Sequence, residues 1–156
     1  MEARREGVQP GMSIVRRARR LPRSEQRDAA RALGWLVLAH LALRVLPYRT
    51  VRRFATHVRS SPRRSGLTAE ACAAATARAA VLFPRARCLA RALAAECQLR
   101  RAGRVPRLHI GVGFDEARTF LAHAWLESDG VIVTGGGEAT LCGYQEIANL
   151  TEGSSR

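Results

Sequence analysis

Phe83-Pro84-Arg85-Ala86-Arg87-Cys88-Leu89-Ala90-Arg91-Ala92-Leu93 is the stretch on which the reading of this chain turns. Pro84 interrupts whatever helix precedes it, and an alanine- and leucine-rich run follows with Cys88 at its start. Further on, Ala122-His123-Ala124-Trp125 sits in a run with strand-like alternation. A thiol at a helix N-terminus and an imidazole on a strand are the minimal set for a cysteine nucleophile.

Working outward, the helix opened by Cys88 is expected to run to about Ala102, with Gly103 as its C′ residue. Upstream, Thr68 caps a helix that reaches about Leu82, and Ser60-Ser61-Pro62-Arg63-Arg64-Ser65-Gly66 is a linker. Before the linker, a helix capped by Ser24 runs to about Leu46, is broken by Pro47, and is followed by a short basic helix over Tyr48 to Val58. Downstream of Pro106 the period changes to two: Leu108, Ile110 and Val112 face one way, Arg107, His109 and Gly111 the other. Phe120 to Glu127 and Val131 to Thr134 form two further strands, joined at Asp129-Gly130 by a tight hairpin turn. The tail from Ala139 carries little pattern. Helices followed by a small antiparallel sheet make the fold class α+β. Three parts follow: a flexible basic arm over 1–22, an N-terminal helical region over 23–60, and a core over 66–150.

Bulk properties narrow the function classes. The 156 residues fit one domain with a real core. The net charge of +13 invites a nucleic-acid reading, yet all 26 basic residues are arginine. That bias, with abundant alanine, points to a GC-rich genome. Aromatic residues are only 5%, too few for base-stacking platforms, so nucleic acid is not the expected partner. The four cysteines, Cys72, Cys88, Cys97 and Cys142, form no CxxC pair and no zinc spacing with histidine, so neither metal nor cofactor is expected. No secretory signal is visible, which makes a reducing cytoplasm with free thiols the expected setting. The apolar run Leu33 to Leu46 is 14 residues long and contains His40 and Arg44, too short and too polar for a membrane span.

The chemistry selects among these residues. A cysteine attacks a carbonyl as its thiolate, and a helix N-terminus supplies free N–H groups and a partial positive charge, to which Arg85 and Arg87 add. The Cys88 N–H can serve as an oxyanion donor, and a histidine can take the thiol proton and return it to the leaving amine. His123 suits that role. It shares one strand face with Trp125 and Glu127, opposite the apolar face of Phe120, Ala122, Ala124 and Leu126, and Trp125 can shield the pair from water. His109 is the second-choice histidine. Cys72 and Cys97 read as small core residues, Cys142 has no histidine near it in sequence, and His40 and His57 read as structural or surface groups.

Arg87-Cys88-Leu89-Ala90-Arg91-Ala92-Leu93, Leu99-Arg100-Arg101-Ala102-Gly103, His109-Ile110-Gly111-Val112 and Ala122-His123-Ala124-Trp125-Leu126-Glu127 with Asp129-Gly130 together resemble the lasso-peptide leader peptidases. These are transglutaminase-like, papain-like cysteine proteases. The resemblance covers roughly residues 65–135, and more loosely the leucine-rich helix ending in Leu46-Pro47-Tyr48-Arg49. It implies a nucleophile helix packed on a small antiparallel sheet, with Cys88 as nucleophile and His123 as base. It also implies removal of the leader from a ribosomally made precursor peptide by a stand-alone protease. A separate leader-recognition protein would deliver the precursor, and a macrolactam synthetase would act next. A non-catalytic basic adaptor and a transglutaminase-like acyltransferase are the competing readings.

One position departs from that family. An Asp or Asn is expected about twelve residues beyond the histidine, and the run here is Val133-Thr134-Gly135-Gly136-Gly137-Glu138. With Asp129-Gly130 as a two-residue turn, Ser128 pairs with Val131, Trp125 with Thr134, and His123 faces Gly136. No third catalytic residue is assigned. Glu138 reaches the ring only if the glycines bulge, Asp129 belongs to the turn, and Glu127 is roughly 7 Å along the strand. A water or a main-chain carbonyl is left to orient the imidazole.

Overall fold

The computed structural model describes residues 22–64, 66–114, 118–136 and 144–149. The arm up to Leu21, Glu138 and Cys142 lie outside the described residues. The elements run α1 (Arg23–Val45), α2 (Tyr48–Thr56), a 3-10 turn (Pro62–Arg64), α3 (Ala69–Leu82), α4 (Cys88–Arg101), β1 (Arg107–Phe114), β2 (Phe120–Ser128), β3 (Val131–Thr134) and β4 (Gln145–Asn149). This is the expected α+β order.

Local chemistry sets most boundaries. Pro47 caps α2 with an extended ψ of 144°, so α1 and α2 are separated where the proline ring disfavours continuation. Thr68 caps α3, its side chain accepting from the Ala71 N–H at 3.2 Å. Ser24 does not cap α1: the helix begins at Arg23 with Pro22 in the cap position, leaving Ser24 inside the first turn. Gly103 follows α4 with φ +79°, and its N–H bonds the Arg100 carbonyl, as a C′ glycine should.

The four strands form one antiparallel sheet in the order β3-β2-β1-β4. Asp129 and Gly130 both have positive φ, 53° and 77°, which gives the β2–β3 hairpin a turn of matching twist. Arg104 braces that turn, donating to the Asp129 carboxylate and to the Leu67 carbonyl. Ser128 pairs with Val131 as the turn requires, but Thr134 pairs with Leu126 rather than Trp125. One extra residue, Val133, bulges from β3 and shifts everything beyond it by one position.

α1 packs on α3 and α4, and α3 and α4 in turn cover β2 and β3. The alanines of α3 and α4, among them Ala75, Ala79, Ala92 and Ala95, are buried and let these helices approach closely. Leu36, Leu93, Leu99, Leu108 and Leu126 are fully buried between the layers, each side chain contributing about 1.5–3 kcal/mol. A buried carboxylate ties α2 to α4: Glu96 accepts from Arg52 and from Arg100 Nε, the latter at 2.9 Å. Arg100 also donates to the Thr56 carbonyl.

Candidate active site

Cys88 is the first residue of α4 and is partly exposed. The segment before it is shaped for that purpose. Phe83 to Ala86 closes a turn through the Ala86 N–H and the Phe83 carbonyl, and the Ala86 side chain is buried as an anchor. Arg91 reaches back so that its Nε donates to the Ala86 carbonyl at 2.9 Å. Arg87 then takes the cap position in an extended conformation, with no side-chain cap on the helix. The first N–H groups of α4 are thus left without a competing side-chain acceptor at the thiol. Arg85 and Arg87 are exposed beside it.

The other cysteines behave as core. Cys72 is fully buried with its Sγ 3.8 Å from the Ala95 carbonyl oxygen. Cys97 is buried in the middle of α4, and burial, reinforced by the neighbouring Glu96 carboxylate, pushes its thiol up to about 12. His40 packs edge-on against Phe83, and His57 closes the end of α2 with Nδ1 on the Arg53 carbonyl at 2.7 Å. Neither is part of the site.

His123 lies on β2, partly buried, opposite Gly111 of β1. Its Nε2 is 2.6 Å from the Gly135 carbonyl oxygen. A carbonyl can only accept, so Nε2 carries the proton and Nδ1 of the neutral ring is left unprotonated. The position twelve residues after the histidine is therefore filled by main chain rather than by a carboxylate. Beyond the bulge at Val133, Gly135 lies against Trp125 instead of Ala124, and from there its carbonyl oxygen reaches the His123 ring. Gly135 has φ +110°, and a Cβ built there would sit 2.3 Å from Trp125 Cβ and 3.2 Å from His123 Nε2. Glycine is needed at this point because only a bare backbone can come so close in that conformation.

Around the ring stands an aromatic cluster. Tyr144 stacks on His123 with centroids 5.1 Å apart, Trp125 lies 6.4 Å from it, and His109 stacks on Trp125 at 5.2 Å with the ring planes nearly parallel. Gly111 makes room for this, since a Cβ there would fall 2.9 Å from the Trp125 ring and 3.1 Å from Tyr144 Cβ. His109 is buried, with Nδ1 on the Glu146 carboxylate at 2.9 Å and Nε2 3.6 Å from Glu127. The second-choice histidine is thus a support for Trp125.

The sequence reading named Cys88, His123 and Trp125; it read Gly135 only as the place of a missing side chain, and it did not name Tyr144 or Glu146. Strand β4, which brings in the last two, pairs with β1 from far along the chain and its run Gln145-Glu146-Ile147-Ala148-Asn149 has no clean alternation. Among the described residues no hydrogen bond joins the Cys88 thiol to His123, and no cluster of three His, Cys, Asp or Glu side chains could hold a metal. None of the described helices is long and apolar enough to cross a membrane.

A family model described as the transglutaminase-like superfamily matches residues 33–149. No curated protein and no solved structure matches the chain.

Proposed function

The chain belongs to the transglutaminase-like superfamily, a fold of cysteine protease and acyltransferase type, and on that premise we propose that it is a cysteine peptidase for the leader of a lasso-peptide precursor. The observation that carries the reading is the 2.6 Å contact between His123 Nε2 and the Gly135 carbonyl. It presets the tautomer in which Nδ1 is a base, on a chain whose one partly exposed thiol among the described cysteines opens a helix.

In this mechanism His123 Nδ1 takes the Cys88 proton and the thiolate attacks the scissile carbonyl. The Cys88 N–H, with the first turn of α4, stabilises the oxyanion. The imidazolium, both nitrogens now N–H, keeps its bond to Gly135 and gives the Nδ1 proton to the leaving amine. Water then attacks the thioester, His123 takes its proton, and the leader's carboxylate and the Cys88 thiol are released. Trp125 and Tyr144 limit water around the ring. The amine freed on the core peptide is the group a macrolactam synthetase would use, and a separate recognition protein would present the leader.

Leader cleavage is measured by mass for wild type, Cys88→Ala and His123→Ala, with the recognition protein present. Loss of the leader with wild type alone supports the reading, and cleavage retained by Cys88→Ala would sink it. The superfamily also favours a second reading, acyl transfer by the same Cys–His pair. A product heavier by a joined amine, in place of a shortened peptide, selects the transferase. If alkylating Cys88 changes nothing, the chain is a non-catalytic adaptor.

A further inference from the structure

Between Asp28 and Glu70 the chain has eight arginines and not one acidic residue. Arg31 is paired with Asp28 and Arg52 is turned inward to Glu96, while Arg49 and Arg53 are exposed on α2. The nearest acidic group on the first turn of α1, Glu25, is paired with Arg78. Among the described residues the α1/α2 face therefore carries an excess of positive charge.

The same face is apolar where it should be wet. On α1, Leu38, Leu41 and Val45 are 56%, 54% and 81% exposed and follow helical spacing along one stripe, and Phe54 on α2 is 67% exposed. Of these, Leu38 and Phe54 line a cavity of about 430 Å³ that Trp35, Leu46, Leu93 and Cys97 also line. A second cavity of about 360 Å³ is lined by Arg49, Thr50, Arg53, Phe54 and His57. Phe54 and His57 line both, so an apolar trough and a cationic rim form one surface.

That combination selects its occupant. A membrane-binding face is a convex apolar band lying in the headgroup plane, whereas this one is a trough that takes side chains. Single-stranded nucleic acid needs a row of exposed stacking rings along a basic groove, and here Phe54 is the exposed aromatic among the described residues of the face, Trp35 being recessed in the trough. An apolar trough with a charged rim is the geometry that receives one face of an amphipathic helix, and the sign of the rim requires carboxylates on the ligand. We propose that the α1/α2 face docks an acidic amphipathic segment of a second polypeptide, its apolar side chains in the trough and its carboxylates against Arg49 and Arg53. The inference is independent of the peptidase reading, because it uses neither Cys88 nor His123.

Trp35 lies in the trough and Trp125 is the only other tryptophan, so the site contains its own reporter. The full chain is titrated with a synthetic peptide bearing leucines at helical spacing and glutamates on the opposite face. Saturable change in tryptophan emission is expected, absent in Trp35→Phe and weakening steeply with salt. Affinity should fall roughly tenfold in Phe54→Ala and in the Arg49→Glu, Arg53→Glu double variant. All three side chains are surface-borne, and circular dichroism checks that each variant stays folded. No binding overturns the proposal, as does equal binding by a peptide with serine for leucine or lysine for glutamate. Tighter binding by duplex DNA or by vesicles of anionic phospholipid than by the acidic peptide overturns it too, assigning the face to nucleic acid or to lipid.

Discussion

Cys88 and Cys97 stand on the same helix and have been given opposite characters. Cys88 opens α4, partly exposed, where the N–H groups of the first turn have no side-chain cap. Cys97 sits in its middle, buried against α1 and α2, beside a carboxylate that is itself buried. The helix field acts over about one turn, and burial penalises a thiolate wherever it occurs. Reactivity on a helix is therefore set by where along it the thiol lies, not by its being a cysteine.

The sharpest way to break that comparison is to exchange the two thiols' fates. Cys88→Ala and His123→Ala should each lower leader cleavage by about 10³-fold or more, the scale on which a nucleophile or its base fails, while Cys97→Ala leaves the rate within about twofold. Iodoacetamide on the native chain near pH 8, read by peptide mass, should mark Cys88 and spare Cys72 and Cys97. Comparable labelling of Cys97 would remove the distinction.

The next largest effect concerns the base. The Gly135 carbonyl holds Nε2 of His123, and no side chain fits at φ +110° with Trp125 Cβ 2.3 Å away. Gly135→Ala should lower the turnover number by about 10²-fold, since both the ring's orientation and the hairpin beyond the bulge must shift. Gly135→Asp should be no better, although it restores a carboxylate at this position, because its Cβ meets the same atoms. Rescue by aspartate would mean that the main-chain carbonyl is not what orients the ring.

These two halves of the site were unequally legible in the sequence, for a physical reason. The nucleophile half is local: Pro84, the buried Ala86 and the alanine-rich run lie within a few residues of Cys88 and act on it directly. The α+β order, the Thr68 cap and the Asp129-Gly130 turn were legible for the same reason. The imidazole half is assembled from β1, β2, the end of β3 and β4. A single inserted residue at Val133 set Gly135 against Trp125 instead of Ala124, and nothing in Val131-Ile132-Val133-Thr134 announces a bulge. Gly135, read from sequence as the place of a missing side chain, is where the backbone supplies the missing acceptor. Ser24 failed as a cap because Pro22, which lacks an N–H and sets φ, takes the cap position two residues earlier.

Cys97 also sharpens the comparison through stability. Its folded pKa of about 12 lies above the ordinary 9.0, so between those values the folded state holds a proton that the unfolded chain has lost. Stability from this group is fully present below about pH 9 and declines as pH rises toward 12. Burial of Tyr48 raises its pKa as well, with Arg52 opposing, and acts in the same direction. Between pH 8 and pH 10 the urea-unfolding free energy of wild type should fall by about 1 kcal/mol more than that of Cys97→Ala, the Tyr48 contribution cancelling in the difference. Parallel pH profiles would show that Cys97 is not held protonated.

The smallest expected effect tests how far support for the base extends. His109 is fastened by Glu146 and lies flat against Trp125, which, like Tyr144, stacks near the His123 ring. Glu146→Gln keeps an acceptor for His109 Nδ1 and nearly the same shape but removes the charge. A neutral acceptor gives a hydrogen bond roughly half as strong as a charged one. Trp125 then loses stiffness, not position, and the turnover number should fall by about threefold with KM unchanged. Glu146→Ala, which leaves the buried Nδ1 without its partner, should cost more, about tenfold. Equal effects of the two would make the carboxylate a space-filler, and no effect of either would confine the catalytic support to Gly135.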